Sequence, residues 1–275
     1  MVDLTGLEIH GVSIGGIETC LEVPEYKLAF DIGRCPPGAL LRPTVLFTHA
    51  HIDHLGGIAS HAATRALRHM PPPTYIVPPH VVPGLEQLFD AWRGLDGSEL
   101  PHRLVPLAPG ESWRLAPGRY ARPFQSIHRS RCQGYGIWSV RHKLKPEYAG
   151  ADPTEIRDLR QAGTEVTNAV EVPELAFIGD SQIEVVERES VVRQARRLIL
   201  ETTFVDERVS VEECRSRGHI HLDEVAERAD LFENEAILLT HFSARYRPDE
   251  ILEAIDRRLP ESLRKRVQAL LPTSD

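Results

Sequence analysis

Four potential metal ligands stand within six residues at His49, His51, Asp53 and His54, directly after the apolar run Val45-Leu-Phe-Thr. Imidazole and carboxylate are the donors zinc takes where thiolates are absent, and a loop leaving a strand aims successive side chains at different points. In such a loop His49 and His51 can share one ion while Asp53 and His54 face another. Gly56 and Gly57 then give the backbone room to turn into a helix. A solvated histidine-rich loop is the bland alternative, and this string between a strand and a Gly-Gly turn rarely arises by accident. The four cysteines, Cys20, Cys35, Cys132 and Cys214, form no C-x-x-C pair. That argues against a cysteine zinc knuckle or a redox dithiol and leaves buried free thiols as the reading.

Elements elsewhere in the chain must position that loop. Runs starting at Glu8, Thr19 and Lys27 read as hairpin-connected strands, with Gly15 and Gly16 at a turn. A helix is expected over 58–69, stopped by Pro71 to Pro73, followed by a strand at 75–77 and a short helix over 85–92. Paired strands follow at 119–127 and 134–140. Three apolar runs then end in polar residues: 175–178 at Gly179-Asp180, 197–200 at Glu201, and 236–240 at His241. Helices are expected over 190–196, 222–232 and 249–258, the second on the helical spacing of Leu222, Val225, Ala226, Ala229 and Phe232. Strand ends that deliver polar side chains are how layered α/β enzymes build sites. The segment 143–173 is the loosest, with one short helix at 153–161, and reads as an insertion on a single domain spanning 1–275.

With 275 residues, 41% apolar and 26% charged, the composition is that of a globular protein able to bury a full core. No stretch approaches the roughly 20 apolar residues of a membrane span. The opening Met-Val-Asp-Leu-Thr-Gly lacks a basic segment followed by an apolar one, so a cytoplasmic location is expected. A formal charge of −8 disfavours binding to nucleic acid as a whole-surface property. Yet residues 114–145 carry eight Arg or Lys and no Asp or Glu. That strip is either the solvated outer face of two strands or a surface that attracts an anionic substrate.

The His49 to His54 string resembles the signature of the metallo-β-lactamase superfamily. The resemblance implies a four-layer αββα sandwich, with three further ligands at later strand ends, and the matching positions are His128, Asp180 and His241. One site would then be His49, His51 and His128, a second Asp53, His54 and His241, with Asp180 bridging two Zn²⁺ or other divalent transition ions. Within the superfamily the chain is most similar to the ribonuclease Z branch. The strings that carry this are His128 with Gly134-Tyr135, Gly179-Asp180-Ser181, Leu200-Glu-Thr-Thr-Phe204, Gly218-His219 before a helix, and His241-Phe-Ser-Ala-Arg-Tyr246. There are departures: Leu200 stands where the family commonly has histidine, and Ile220-His221 follow His219 where the family reads Ser-Thr. The segment 143–173 also stands where the family has a long Gly/Pro-rich arm that grips transfer RNA.

The resemblance implies a phosphodiesterase acting on RNA, with precursor tRNA as substrate, a 3′-hydroxyl and a 5′-phosphate as products, and a homodimer as assembly. Asp53 would both ligate and receive a proton from the attacking water, and His219, oriented by Glu201, would serve the leaving oxygen. His219 at the start of the 222–232 helix could instead merely cap it, and His221 is open between a site and a structural role. His10, His61, His69, His80, His102 and His142 have no partner pattern and read as surface or core residues. A hydrolase of a thioester, lactone or other ester is the rival use of the same metals, and a catalytically silent RNA-binding module is the rival from another class. A flavodiiron-type redox centre is disfavoured, because that motif carries glutamate where this chain has His51.

Overall fold

Alternate residues of each apolar run point to opposite faces of a sheet, and this division builds the layers. A computed structural model of the chain describes residues 1–272. The first sheet contains β1 (Val2–Asp3), β2 (Glu8–Gly15), β3 (Glu18–Val23), β4 (Leu28–Phe30), β5 (Thr44–Leu46), β6 (Thr74–Val77) and β7 (Arg103–Pro106) in that spatial order. The second holds β8 (Trp113–Ala116), β9 (Arg119–Ser126), β10 (Cys132–Leu144), β11 (Thr167–Phe177), β12 (Arg197–Glu201) and β13 (Ala236–Thr240). A short β14 (Phe242–Ser243) crosses back to pair with β2, and β15 (Val267–Ala269) closes the second sheet beside β13. Strands β4 to β7 are parallel, as are β11, β12, β13 and β15.

Three apolar clusters fill the three spaces between four layers. Leu46, Phe30, Tyr135, Phe177, Ile199 and Leu238 meet between the sheets. Their strand neighbours Val45 and Phe47 turn outward onto α1 (Ile52–Leu55), α2 (Ile58–Leu67) and α3 (Val82–Asp96). Likewise Leu198, Leu200, Ile237 and Leu239 turn away from the inter-sheet core toward helices on the far side. Beyond α4 (Pro153–Gln161), those helices are α5 (Glu184–Arg188), α6 (Ser190–Gln194), α7 (Val211–Arg217), α8 (Leu222–Glu227), α9 (Pro248–Arg258) and α10 (Glu261–Arg264). The fold is the αββα sandwich that the resemblance implied. No helix among the described residues is long and apolar enough to cross a membrane.

The structure departs from the sequence reading in three places. The two ends of 143–173 are strand, since β10 continues to Leu144 and pairs with β11 from Leu144↔Thr167 inward, and the excursion that this ribbon carries holds α4 where a short helix was expected. Beyond the core a ribbon needs only its backbone ladder, so its sequence carries no apolar alternation to reveal it. The helix read over 222–232 ends at Glu227 and gives way to a short 3₁₀ turn, Ala229–Leu231, which keeps Ala229 and Phe232 buried. The helix read over 85–92 is longer, Val82–Asp96, opened by Pro83 and closed by Gly97 in the left-handed conformation.

The helix α2 that follows the His49 loop is anchored by His61, which is fully buried with Nδ1 2.9 Å from the Tyr75 hydroxyl and Nε2 3.1 Å from the Ala39 carbonyl. The Tyr75 hydroxyl also reaches the Ile58 carbonyl at 3.2 Å, and burial disfavours charge on the His61 ring and lowers its pKa to about 4. The unfolded chain therefore binds a proton near pH 6.5 that the native state refuses, and stability falls as pH drops from 6.5 toward 4. The loss between pH 7.5 and 5 is about 2 kcal/mol. Urea unfolding of His61→Gln should lack that part of the acid loss. Parallel losses in the two proteins would show that His61 is not held neutral.

Candidate metal centre

The polar residues singled out from the sequence converge at one rim of the sandwich, at the carboxyl ends of parallel strands. Phe47 to His51 leave β5, Asp180 follows β11, Thr202 and Thr203 follow β12, and His241 follows β13. His128 comes from the turn between β9 and β10, and His219 from the chain after α7. Donor atoms of His49, His51, His128 and Asp180 lie within 4.8 Å of one another, as do those of Asp53, His54 and His241. Asp180 reaches both groups: Oδ2 is 3.8 Å from His49 Nε2, and Oδ1 is 3.3 Å from the Nε2 atoms of His54 and His241.

Hydrogen bonds behind the rings fix which nitrogen faces inward. Thr48 Oγ1 donates to Asp31 Oδ2 at 2.9 Å, so it accepts from His49 Nδ1, also at 2.9 Å. The Thr203 hydroxyl donates to Glu201 Oε2 at 2.6 Å and accepts from His241 Nδ1 at 2.9 Å. His54 Nδ1 donates to Asp31 Oδ2 and His128 Nδ1 to the Gly218 carbonyl, both at 2.8 Å. Each ring thus spends its Nδ1–H outward and turns Nε2 into the centre. The buried Nε2 atoms of His49, His54, His128 and His241, together with Asp180 Oδ1, have no hydrogen-bond partner.

Burial opposes charge on His54, but Asp180 and Asp31 outweigh it and raise its pKa well above the ordinary value, so its Nε2 carries a proton that a metal ion would displace. Burial and the His54 charge hold His49 well below its own, which keeps it a neutral donor. Asp180 and Asp53 stay ionised, since neighbouring histidines overcome burial that would raise their pKa values. Orphaned ring nitrogens converging on carboxylates form a nitrogen and oxygen donor set that fits divalent transition ions. Cys132 Sγ is 3.7 Å from His49 Nδ1, on the outer side of that ring, and burial keeps its thiol protonated. Cys20, Cys35 and Cys214 are free thiols.

His219 stands beside these groups with Nδ1 2.9 Å from Glu201 Oε1. Burial disfavours its charge, but Glu201 prevails and raises its pKa to about 9. Glu201 is itself buried and is held by the backbone N–H groups of Ser181 and Thr203 and by the Thr203 hydroxyl. The helix cap is a different histidine: His221 Nδ1 accepts from Asp223 N and its Nε2 meets the Asp206 carbonyl, so its role is structural. His219 and His128 meet through Gly218, whose φ of +84° suits glycine and where a Cβ would lie 2.8 Å from His128 Nδ1. Gly179, before Asp180, is as constrained, with φ +63° and Thr48 2.8 Å from any added Cβ. His241 itself adopts φ +62°, a strained conformation at a site residue.

A cleft of about 720 Å³ opens over the centre, lined by His51, His128, His219 and His241 and by Arg129, Arg217 and Arg245, with no acidic residue in its wall. Of the basic strip at 114–145 only Arg129 reaches this cleft. Arg122 and Arg141 are bound to Glu171 and Glu174, each at 2.5 Å, and Arg119 lies over the Tyr26 ring. Three of the eight basic residues of the strip are therefore neutralised by Glu25, Glu171 and Glu174. Sequence reasoning gave no role to Asp31, Thr48, Thr203 and Arg217, and quoted Arg245 only within a string. An acidic residue at the end of an apolar strand, as in Leu28-Ala-Phe-Asp31, is the one signal that could have found Asp31.

Asp31 is fully buried behind His54 and accepts from its Nδ1. Asp31→Asn leaves the volume unchanged but removes the charge that fixes that ring. It should weaken metal binding about 10- to 100-fold in competition with a chromophoric chelator, with the far-ultraviolet dichroism retained. An unchanged affinity would refute the role given to Asp31.

Comparison with known proteins agrees with this geometry. Residues 35–242 match the family described as Beta-lactamase superfamily domain. The chain is 44% identical over 271 residues to tRNase Z TRZ1 of Arabidopsis thaliana, covering 98% of this chain and 96% of that one. It is 41% identical over 256 residues to the chloroplastic tRNase Z TRZ2 of the same plant, covering 92% and 72%. Among solved structures, the short form of human tRNase Z superposes with a TM-score of 0.61 at 18% identity, covering 98% of this chain and 97% of that one. The metallo-β-lactamase fold protein YhfI from Bacillus subtilis gives 0.63 at 14% identity, with 94% of each chain covered. With its fold, its converging histidines and aspartates and these relatives in hand, the chain belongs to the β-lactamase superfamily and, within it, to the tRNase Z family.

Proposed function

We propose that this protein is a two-zinc endoribonuclease that cuts a phosphodiester at the 3′ side of precursor transfer RNA. The observation that carries this reading is the pairing of two donor groups through Asp180 beneath a cleft whose only fixed charges above the metal ligands are cationic. His49, His51 and His128 would hold one ion, Asp53, His54 and His241 the other, and Asp180 both. When bound, such a pair supplies Lewis-acid charge that lowers the pKa of water and offsets charge developing on the phosphoryl oxygens.

The chain's own groups then perform the proton and positioning work. Asp53, ionised and fixed by the Gly16 N–H at 3.0 Å, accepts the proton of the attacking water. His219, protonated because Glu201 holds its Nδ1–H, gives the proton on Nε2 to the departing 3′-oxygen. Arg217 and Arg245 flank Phe204 at 5.4 and 5.3 Å from its ring and present guanidinium groups to the phosphates beside the cut. The products are a 3′-hydroxyl on the transfer RNA and a 5′-phosphate on the released segment.

Cleavage of a 3′-extended precursor tRNA by purified protein tests the reading. Asp180→Ala should abolish cleavage and reduce the metal content. Glu201→Gln should keep the bound metal but lower kcat about a hundredfold, the scale of losing a positioned general acid. Elemental analysis should find two zinc ions per chain. Activity confined to a lactone or thioester panel, with no cut in the precursor, would replace this reading with the ester-hydrolase one.

A further inference from the structure

A second cleft, of about 410 Å³, opens on the other side of the His128 turn and shares His128, Arg129 and Ser130 with the first. Its wall includes Pro78, His80, Arg131 and Arg188 and no aspartate or glutamate. Among the described residues, Arg129, Arg131 and Arg188 enter none of the ion pairs, unlike Arg119, Arg122 and Arg141 nearby. On a chain of net charge −8, a cleft with three unpaired guanidinium groups is a local reversal of sign. Burial and the Arg131 charge hold the His80 ring below its ordinary pKa, a sign of the positive potential there. Ser130 Oγ, at the junction of the two clefts, is buried with no hydrogen-bond partner.

The position of His219 gives this cleft a direction. His219 lines the first cleft and not the second. In a cut that leaves a 3′-hydroxyl, the oxygen that departs belongs to the upstream nucleotide, so that nucleotide lies on the His219 side. The phosphorus keeps its bond to the 5′-oxygen of the downstream nucleotide, which leaves the centre by a path other than that of the upstream strand, and the second cleft adjoins the first at His128.

We propose that the cleft of Arg129, Ser130, Arg131 and Arg188 is the track of the single-stranded RNA downstream of the cut, and that its arginines hold the first phosphates beyond the scissile one. The proposal rests on the phosphodiesterase reading and assigns that activity a polarity: upstream nucleotides over Phe204, the downstream strand between Pro78 and Arg188. Such a track recognises backbone charge ahead of sequence, because guanidinium groups meet phosphates whichever bases follow.

The test compares two precursor tRNAs, one with a single-nucleotide trailer and one with a trailer of about ten nucleotides, cut by the wild type and by Arg131→Ala/Arg188→Ala. The single-nucleotide trailer has no phosphate beyond the scissile one, so its KM should stay within about twofold in the variant. For the long trailer, KM should rise roughly tenfold, and the slope of log(1/KM) against log salt should shrink by about 1.4, the share of two phosphate contacts on a single strand. A 5′-phosphorylated oligonucleotide of the trailer should bind the variant more weakly in fluorescence anisotropy. Equal effects on both precursors, or no effect on either, overturn the track while leaving the nuclease intact. Failure of the wild type to cut either precursor sinks the nuclease reading and the track with it.

Discussion

Four buried imidazole nitrogens aimed at one carboxylate, none of them met by another protein group, set the terms for everything around them. A buried polar atom without a partner costs about 1–3 kcal/mol, and a cluster of them persists in a native fold only where something else completes it. The other nitrogen of each of these rings is satisfied by Thr48, Asp31, Gly218 or Thr203. The half that faces the protein is closed and rigid, and the half that faces the centre is open. That asymmetry separates a metal cradle from a cluster of packed histidines.

The cradle is only as exact as the contact between the two sheets, since each contributes half of it. Asp31, Thr48 and His49 follow strands β4 and β5 of the first sheet, and Asp180, Glu201 and Thr203 end or follow β11 and β12 of the second. The Tyr135 hydroxyl on β10 donates to the Phe47 carbonyl at 2.8 Å, and Gln133 N donates to the Thr48 carbonyl at 3.1 Å, so the second sheet grips the backbone just before His49. Behind them Phe30 and Phe177 pack with ring centroids 4.8 Å apart. Inter-sheet packing thereby sets the distance across the site, and the two glycines that precede Asp180 and His219 let the loops approach as closely as that distance demands.

Charge along the chain and charge in space differ for a simple reason. A run of arginines on neighbouring strands lies beside whatever acidic residues the next strand supplies, and here β11 supplies Glu171 and Glu174. The information lies in where guanidinium groups without an ion pair gather. Arg129, Arg131, Arg188 and Arg245 are such groups and line the two clefts that meet at His128, in a protein whose net charge is negative, while Arg217 there is paired with Glu213. An acidic body with a cationic seam repels polyanions over most of its surface and admits them along one path.

The chain itself determined the ligand types, their order, and the strands that carry them, because all three are local properties. Imidazole and carboxylate donors crowd one loop from His49 to His54, and apolar runs end at Asp180, Glu201 and His241. The alternation that assigns side chains to sheet faces is likewise written within a few residues. Tertiary structure alone decided that Asp31 and Thr203 stand behind the rings, that His221 caps a helix while His219 faces the cleft, and that the two ends of 143–173 pair as strands. Each of these depends on residues far apart in the chain meeting across packed sheets or on backbone hydrogen bonds that every residue type can make, and neither leaves a pattern in the order of side chains.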